Sequence, residues 1–190
     1  MLRPAEQGDW PVNEAVLAAC SDTETPQGVL IVVPFLTIQA RPGLILILDQ
    51  IRDPGNIGAI LRSAETSGAG QVILAPGTVD LYNPKVVRGA MGAHFRLPVA
   101  ALDWPAIAGR VTDRAVWLAD AAGETAYDRV DWTVPSALIV GGEAAGAGEQ
   151  AAALATGRVS IPMAGGAESL NAAMAATVIL FEAARQSRAR

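Results

Sequence analysis

From Leu44 to the C-terminus, short runs that are wholly or mainly apolar, with at most two polar positions in any of them, alternate with segments of helical spacing. LILIL (44–48), QVILA (71–75), FRLPVA (95–100), AVWLA (115–119), SALIVGG (136–142) and RVSIPM (158–163) are the apolar runs. Between and after them stand NIGAILRSAETSG (56–68), NPKVVRGAM (83–91), WPAIAGRV (104–111), EQAAALA (149–155) and a long helical stretch from about Leu170 to Gln186. A strand with one wet face alternates apolar and polar residues, whereas a continuously apolar strand must be covered on both faces. Strands joined through helices return to the same end and so run parallel. The expected architecture is therefore α/β, a mostly parallel sheet flanked by helices on both sides. Residues 1–42 are less regular and read as a lead-in: a helix over Val12 to Cys20, a polar turn SDTETPQG, a strand-like GVLIVVP (28–34), and a loop through Arg41-Pro42-Gly43. The main domain is expected over 43–190.

The 190 residues are 51% hydrophobic with mean hydropathy +0.31, enough to bury one full core. No run approaches the roughly 18 apolar residues of a membrane span. MLRPAEQGDWP lacks the apolar segment of a secretory signal, so a cytoplasmic protein without membrane contact is expected. Cys20 is the single cysteine and His94 the single histidine. That excludes an internal disulfide and leaves too few ligands for a cysteine cluster or a typical catalytic metal, so no metal is expected. The net charge of −5 argues against broad non-specific nucleic-acid binding and leaves room only for a local patch, with arginines gathered at Arg88 and Arg96 and in the tail.

Three stretches carry candidate chemistry. In LDQIRDPGNIGAILRSAETSGAG (48–70) a strand hands over to a helix, with Asn56 expected to cap it and Gly68 to stop it. A capped turn explains that much. Arg62, following two aliphatic residues, is expected to be partly desolvated and then needs an anionic partner, either a carboxylate or a ligand phosphate. In ALIVGGEAAGAGEQ (137–150) Gly146, Gly148 and Ala151 fit the dinucleotide-binding spacing, but late in the chain and past the strand end. Glu143 is more informative, since ligands of α/β folds sit at strand carboxyl ends. In VSIPMAGGAESLNAAMAATVILFEAARQ (159–186) small loop residues precede a helix capped by Ser169 or Asn171, whose apolar face is read as Leu170, Met174, Val178 and Phe181, for core packing or a subunit interface.

Taken in order, DPGNIGAILRSAETSGA, LIVGGEAAGAG and IPMAGGAESLN resemble the three motifs of the SPOUT superfamily, in its SpoU or TrmH-like branch of RNA ribose 2'-O-methyltransferases. The resemblance runs over about residues 44–188, and the lead-in resembles the end of the RNA-binding domain that precedes the catalytic domain in many members. It implies a C-terminal deep trefoil knot and a homodimer in which Arg62 reaches the partner's site. It implies S-adenosylmethionine as cofactor, held by Gly141, Gly142, Ile161, Met163, Ser169 and Leu170, with Asn56, Arg62, Glu143 and Asn171 around the reacting centre. The implied partner is RNA, ribosomal ahead of transfer RNA. Two other readings stand beside it: a non-catalytic knotted dimer that binds cofactor or RNA, and, last, a nucleotide-dependent dehydrogenase resting on GAGEQA.

Overall fold

The computed structural model describes residues 10–21, 25, 27–142, 146–166 and 168–189. The chain divides into two compact units, residues 1–36 and 37–190. In the first, α1 (Glu14–Cys20) begins at Asn13, whose side chain accepts from the Val16 amide at 3.0 Å. The run 28–34 is not a strand. Val29, Ile31 and Val32 are all more than 70% exposed, so residues of both parities face solvent, and among the described residues no strand pairs with the run.

Among the described residues the second unit holds seven strands: β1 (Ile45–Asp49), β2 (Gln71–Leu74), β3 (Val99–Ala101), β4 (Ala115–Ala119), β5 (Thr125–Ala126), β6 (Ser136–Gly141) and β7 (Gly157–Ser160). They form one sheet in the order β3-β2-β1-β6-β4-β7-β5, and every pairing is parallel. The helices are α2 (Pro54–Ser67), α3 (Pro84–Gly89), α4 (Trp104–Arg110), α5 (Glu149–Leu154) and α6 (Ala172–Arg188). Central strands are buried along their length, as their unbroken apolar sequences require. Leu46, Leu48, Val72, Leu74, Leu138 and Val140 pack under α2, α3 and α6. Ile45, Ile47, Ile73, Ala137 and Ile139 pack on the other face with Ile107 of α4 and Ala151 of α5. Because side chains alternate, a one-residue slip would exchange the two cores, so register is strongly fixed.

Three local expectations are corrected, and one short strand was not foreseen. Asp53, not Asn56, caps α2: its Oδ1 accepts from the Asn56 amide at 2.8 Å, and Pro54 occupies the first helical turn, where its missing N–H costs nothing. Of FRLPVA only Val99 and Ala100 enter a strand, which runs on to Ala101, since Ala93–Phe95 turns as a 3-10 helix and Leu97 is buried after it. The short edge strand β5 carries no apolar run and gave no signal. In α6 the buried face is Ala172, Ala173, Ala176, Ile179, Leu180 and Ala183, so Met174 and Phe181 point outward at 60% and 42% exposure. Small alanines win the inner face because α6 lies close against α2, where Ser63 Oγ and Thr177 Oγ1 meet at 2.7 Å. Gly68 does end α2, at φ 81°.

The far end of α6 is fastened by side chains. Gln186 donates to the Val130 carbonyl at 3.0 Å and accepts from the Trp132 amide at 2.9 Å. Arg185 donates to both oxygens of Glu182, at 2.8 and 2.7 Å, and Gln186 donates to Oε1 at 2.8 Å. Arg185 foremost, then Gln186, hold the Glu182 carboxyl down to about 2 from 4.5, against the opposing effect of partial burial. Since the folded value lies below the unfolded one, this contribution is complete above pH 4.5 and is lost as pH falls toward 2. Glu182→Gln, neutral at every pH, is expected to flatten the acid limb of stability over that window, measured as urea midpoint against pH, by lowering the neutral-pH midpoint while leaving the midpoint near pH 2 nearly unchanged. Among the described residues no helix is long and apolar enough to cross a membrane, and no group of three or more His, Cys, Asp or Glu could hold a metal ion.

Candidate active site

A cavity of about 740 Å³ opens beyond the carboxyl ends of β4, β6 and β7. Parallel sheets leave ligand room there, because the loops that follow the strands splay apart. Leu118, Val140, Ile161, Met163, Leu170 and Ile179 give it apolar walls. Gly141 and Gly142 bring bare backbone to its edge, and Gly142 forms a bridge with Gly146. All six residues singled out for cofactor binding, Gly141, Gly142, Ile161, Met163, Ser169 and Leu170, line this one space, although they lie up to 29 residues apart in sequence. Its volume and its mix of apolar wall with few polar groups suit a nucleoside-sized ligand.

Asn171 lines the same cavity and caps α6, its Oδ1 accepting from the Ala173 and Met174 amides at 2.9 and 3.3 Å. Its Nδ2 donates to Asn56 Oδ1 at 3.1 Å. Relieved of the cap by Asp53, the Asn56 side chain thus joins α2 to α6 at the cavity rim. Arg62 does not line the cavity of its own chain and sits on the exposed face of α2, with no ion pair among the described residues. This corrects the expected desolvation: Ile60 and Leu61 turn inward, and the helical turn carries Arg62 past them to solvent. Glu143 falls outside the described residues.

Three acidic groups near the site escaped the sequence reading. Asp120, directly after β4, lines the cavity and pairs with Arg158 of β7. The Ala122 amide, and then Arg158, hold its carboxyl below the usual range although partial burial opposes them. The rule applied to Glu143, an acid at a strand's carboxyl end, would have found it. Glu168 also lines the cavity. Asp49 is 1% exposed and its Oδ2 accepts from the Gly148 amide at 2.7 Å. That contact weakens the dinucleotide reading of GAGEQA, since a carboxylate already holds the amide that would have to meet a pyrophosphate.

The sequence profile described as the SpoU rRNA Methylase family matches residues 43–181, which contain the whole sheet and the cavity. The chain belongs to the SpoU rRNA methylase family. This SpoU chain is 35% identical to human mitochondrial rRNA methyltransferase 3, over 90% of its own length and 56% of the relative's. It is 33% identical to the 23S rRNA (guanosine(2553)-2'-O)-methyltransferase RlmP of Bacillus subtilis, covering 90% of this chain and 71% of that one. In three dimensions it matches the SpoU methyltransferase AviRb of Streptomyces viridochromogenes in complex with AdoMet, with TM-score 0.71 and 38% identity over 80% of this chain and 63% of AviRb. The SpoU chain thus spans little more than half of the human relative.

Proposed function

We propose that this chain is the catalytic part of an S-adenosylmethionine-dependent RNA ribose 2'-O-methyltransferase that acts on ribosomal RNA. The observation that carries the reading is the junction of the second and third motifs around one cavity, with Asn171 on its wall bonded to Asn56 of the first motif. The named activities of the human and Bacillus relatives support ribosomal over transfer RNA.

The cavity's chemistry fits the cofactor. Its apolar walls can take an adenine, Asp120 can accept from vicinal hydroxyls, and the Gly141 and Gly142 backbone allows close approach. When bound, S-adenosylmethionine supplies a methyl group on a sulfonium, open to displacement by an oxygen. The chain's share of the work is alignment, which dominates such transfers. Asn171 and Asn56 fix the rim where a ribose hydroxyl would lie. Arg62 acts as a donor fork for the adjacent RNA phosphate and orients the hydroxyl, whose proton leaves to phosphate or water, since a guanidinium accepts none.

We further propose a homodimer with a knotted C-terminal segment. The outward Met174 and Phe181 of α6 support the first, being large apolar groups on the layer that also exposes Arg62. The path of the chain supports the second: β7 lies beyond β4, yet α6 returns to pack on α2, and Gln186 is fastened to residues 130–132.

Incubation of the protein with tritiated S-adenosylmethionine and either ribosomal or transfer RNA tests this reading. Label is expected in ribosomal RNA, in dinucleotides that survive alkaline hydrolysis because the 2'-oxygen is blocked. Alkali-labile label would mean base methylation and would refute the ribose assignment. S-adenosylhomocysteine binding without any transfer would leave the non-catalytic dimer.

A further inference from the structure

A second surface, outside the cavity, has the chemistry of a nucleic-acid platform. Residues 81–98 contain Lys85, Arg88 and Arg96 and no acid, in a chain whose net charge is −5. Beside these cations Met91 is 65% exposed, Phe95 54% and Tyr82 39%. Large apolar side chains left this open to solvent among cations mark a candidate contact surface.

The backbone there is held in an unusual form. Met91 has φ 49° and Gly92 follows at φ 81°. The turn is forced by its neighbours, since Ala90 and Ala93 are both 1% exposed and must enter the core on either side of it. Glycine or asparagine would take the Met91 conformation at lower cost, yet the position carries a long thioether pointed at water. A Cβ added to Gly92 would lie 3.6 Å from Arg96 Nη1 and 4.0 Å from Phe95 Cδ2, so guanidinium tip and phenyl edge stand together over this turn. Arg96 donates Nε to Glu65 Oε1 at 2.7 Å, which sets the plane of the guanidinium and leaves its Nη edge for a second anion. His94 Nε2 lies 2.9 Å from the Leu81 carbonyl, and its ring is 5.9 Å from that of Tyr82, which ties Tyr82 to the same end. The surface is also rigid relative to the first motif. α3 meets α2 backbone to backbone, such that a Cβ on Gly58 would come within 2.8 Å of Gly89 Cα.

We infer that Tyr82, Met91 and Phe95, flanked by Lys85, Arg88 and Arg96, form a platform for single-stranded RNA next to the nucleotide to be modified. The inference rests on the proposed RNA activity and deepens it. Unstacked bases lie on aromatic and thioether faces while cations track the phosphates, a combination that favours splayed single strands over the closed grooves of an A-form duplex. A second copy of the chain fits poorly, because a two-fold contact sets this cationic patch against itself.

The test uses the full chain, a fluorescein-labelled single-stranded RNA of about 12 nucleotides and a blunt RNA duplex of equal length, with anisotropy read across a salt series. The wild type is expected to prefer the single strand. Met91→Ala with Phe95→Ala should weaken single-strand binding about tenfold or more at unchanged salt slope. Lys85→Gln with Arg88→Gln should reduce that slope by about 1.4, two phosphates at about 0.7 each. Thermal midpoint and S-adenosylhomocysteine affinity should match the wild type in both, showing an intact fold. Variants that bind the single strand as the wild type does, with equal slope, overturn the platform while a wild type that still methylates RNA keeps the activity. A wild type that neither binds nor methylates RNA defeats both. Loss of dimers in the Met91/Phe95 variant with RNA binding intact makes the surface a protein interface and overturns the platform.

Discussion

Gly141→Ala is expected to abolish cofactor binding and to destabilise the domain by about 2–3 kcal/mol, the cost of forcing a methyl group into a packed site that cannot yield. A Cβ at this position would stand 2.5 Å from Gly146 C and 2.7 Å from Ala147 Cα, and it would touch the Ala147 amide as well. Every one of these atoms is backbone, so no rotamer change relieves the contact. Relief requires the loop after β6 to lift, and that loop is pinned from behind by the Gly148 amide on the buried Asp49 carboxylate. Its displacement moves Gly142, Gly146 and Ala147, all lining the cavity. We expect S-adenosylhomocysteine affinity to fall by more than about a hundredfold, as a shift of a few kcal/mol implies. Gly166→Ala is the control, with nothing within 4 Å of the added Cβ, and should be nearly silent. Calorimetric titration of both variants, with urea midpoints, checks the pair. Tight binding by Gly141→Ala would mean that the loop is not the cavity's wall.

The parts of this molecule legible in the sequence are those where one local rule decides. β1, β2 and β6 announce themselves as unbroken apolar runs, and the helices between them force the parallel order. The loops that supply Gly141, Met163 and Ser169 share spacing and residue type with known motifs and converge on one cavity. What stayed hidden depends on partners distant in sequence. Asp53 and Asn56 are both competent caps, and only the position of Asn171 across the fold shows why Asn56 is better used elsewhere. Met174 and Phe181, apolar at helical spacing, fit core or subunit interface equally in sequence, and only the close approach of α2, which gives the inner face to alanines, turns them outward. GVLIVVP has strand propensity but, among the described residues, no strand to pair with. Met91 gives no warning of its left-handed backbone, which follows from the burial of Ala90 and Ala93.

Arg62→Ala is expected to lower the methyl-transfer kcat by about a hundred- to a thousandfold, the scale set by losing a single preorganised charge-stabilising contact. Stability should change by less than about 0.5 kcal/mol, because the side chain is exposed and has no ion pair among the described residues. That combination separates a working arginine from a structural one. Arg62→Lys keeps the charge but loses the two-pronged donor geometry, so it should recover only a small part of the rate. The position of Arg62 also bears on whose reaction it serves. Asn56 meets Asn171, and seven residues on along α2 Ser63 meets Thr177, so α2 and α6 lie side by side. On this layer of two helices Arg62, Met174 and Phe181 are all exposed, and none of the three lines the cavity of the same chain. A second copy seated on that layer would bring Arg62 to its own cavity rim. The decisive measurement is a mixed dimer of Arg62→Ala with Met163→Trp, the latter closing the cavity from a wall residue that is 37% exposed and outside the core. If the arginine acts across the interface, the mixture holds one site with open cavity and intact arginine, and activity returns to about half per active-site pair. If Arg62 serves its own chain, each subunit carries one defect and the mixture stays inactive, which would overturn the shared site.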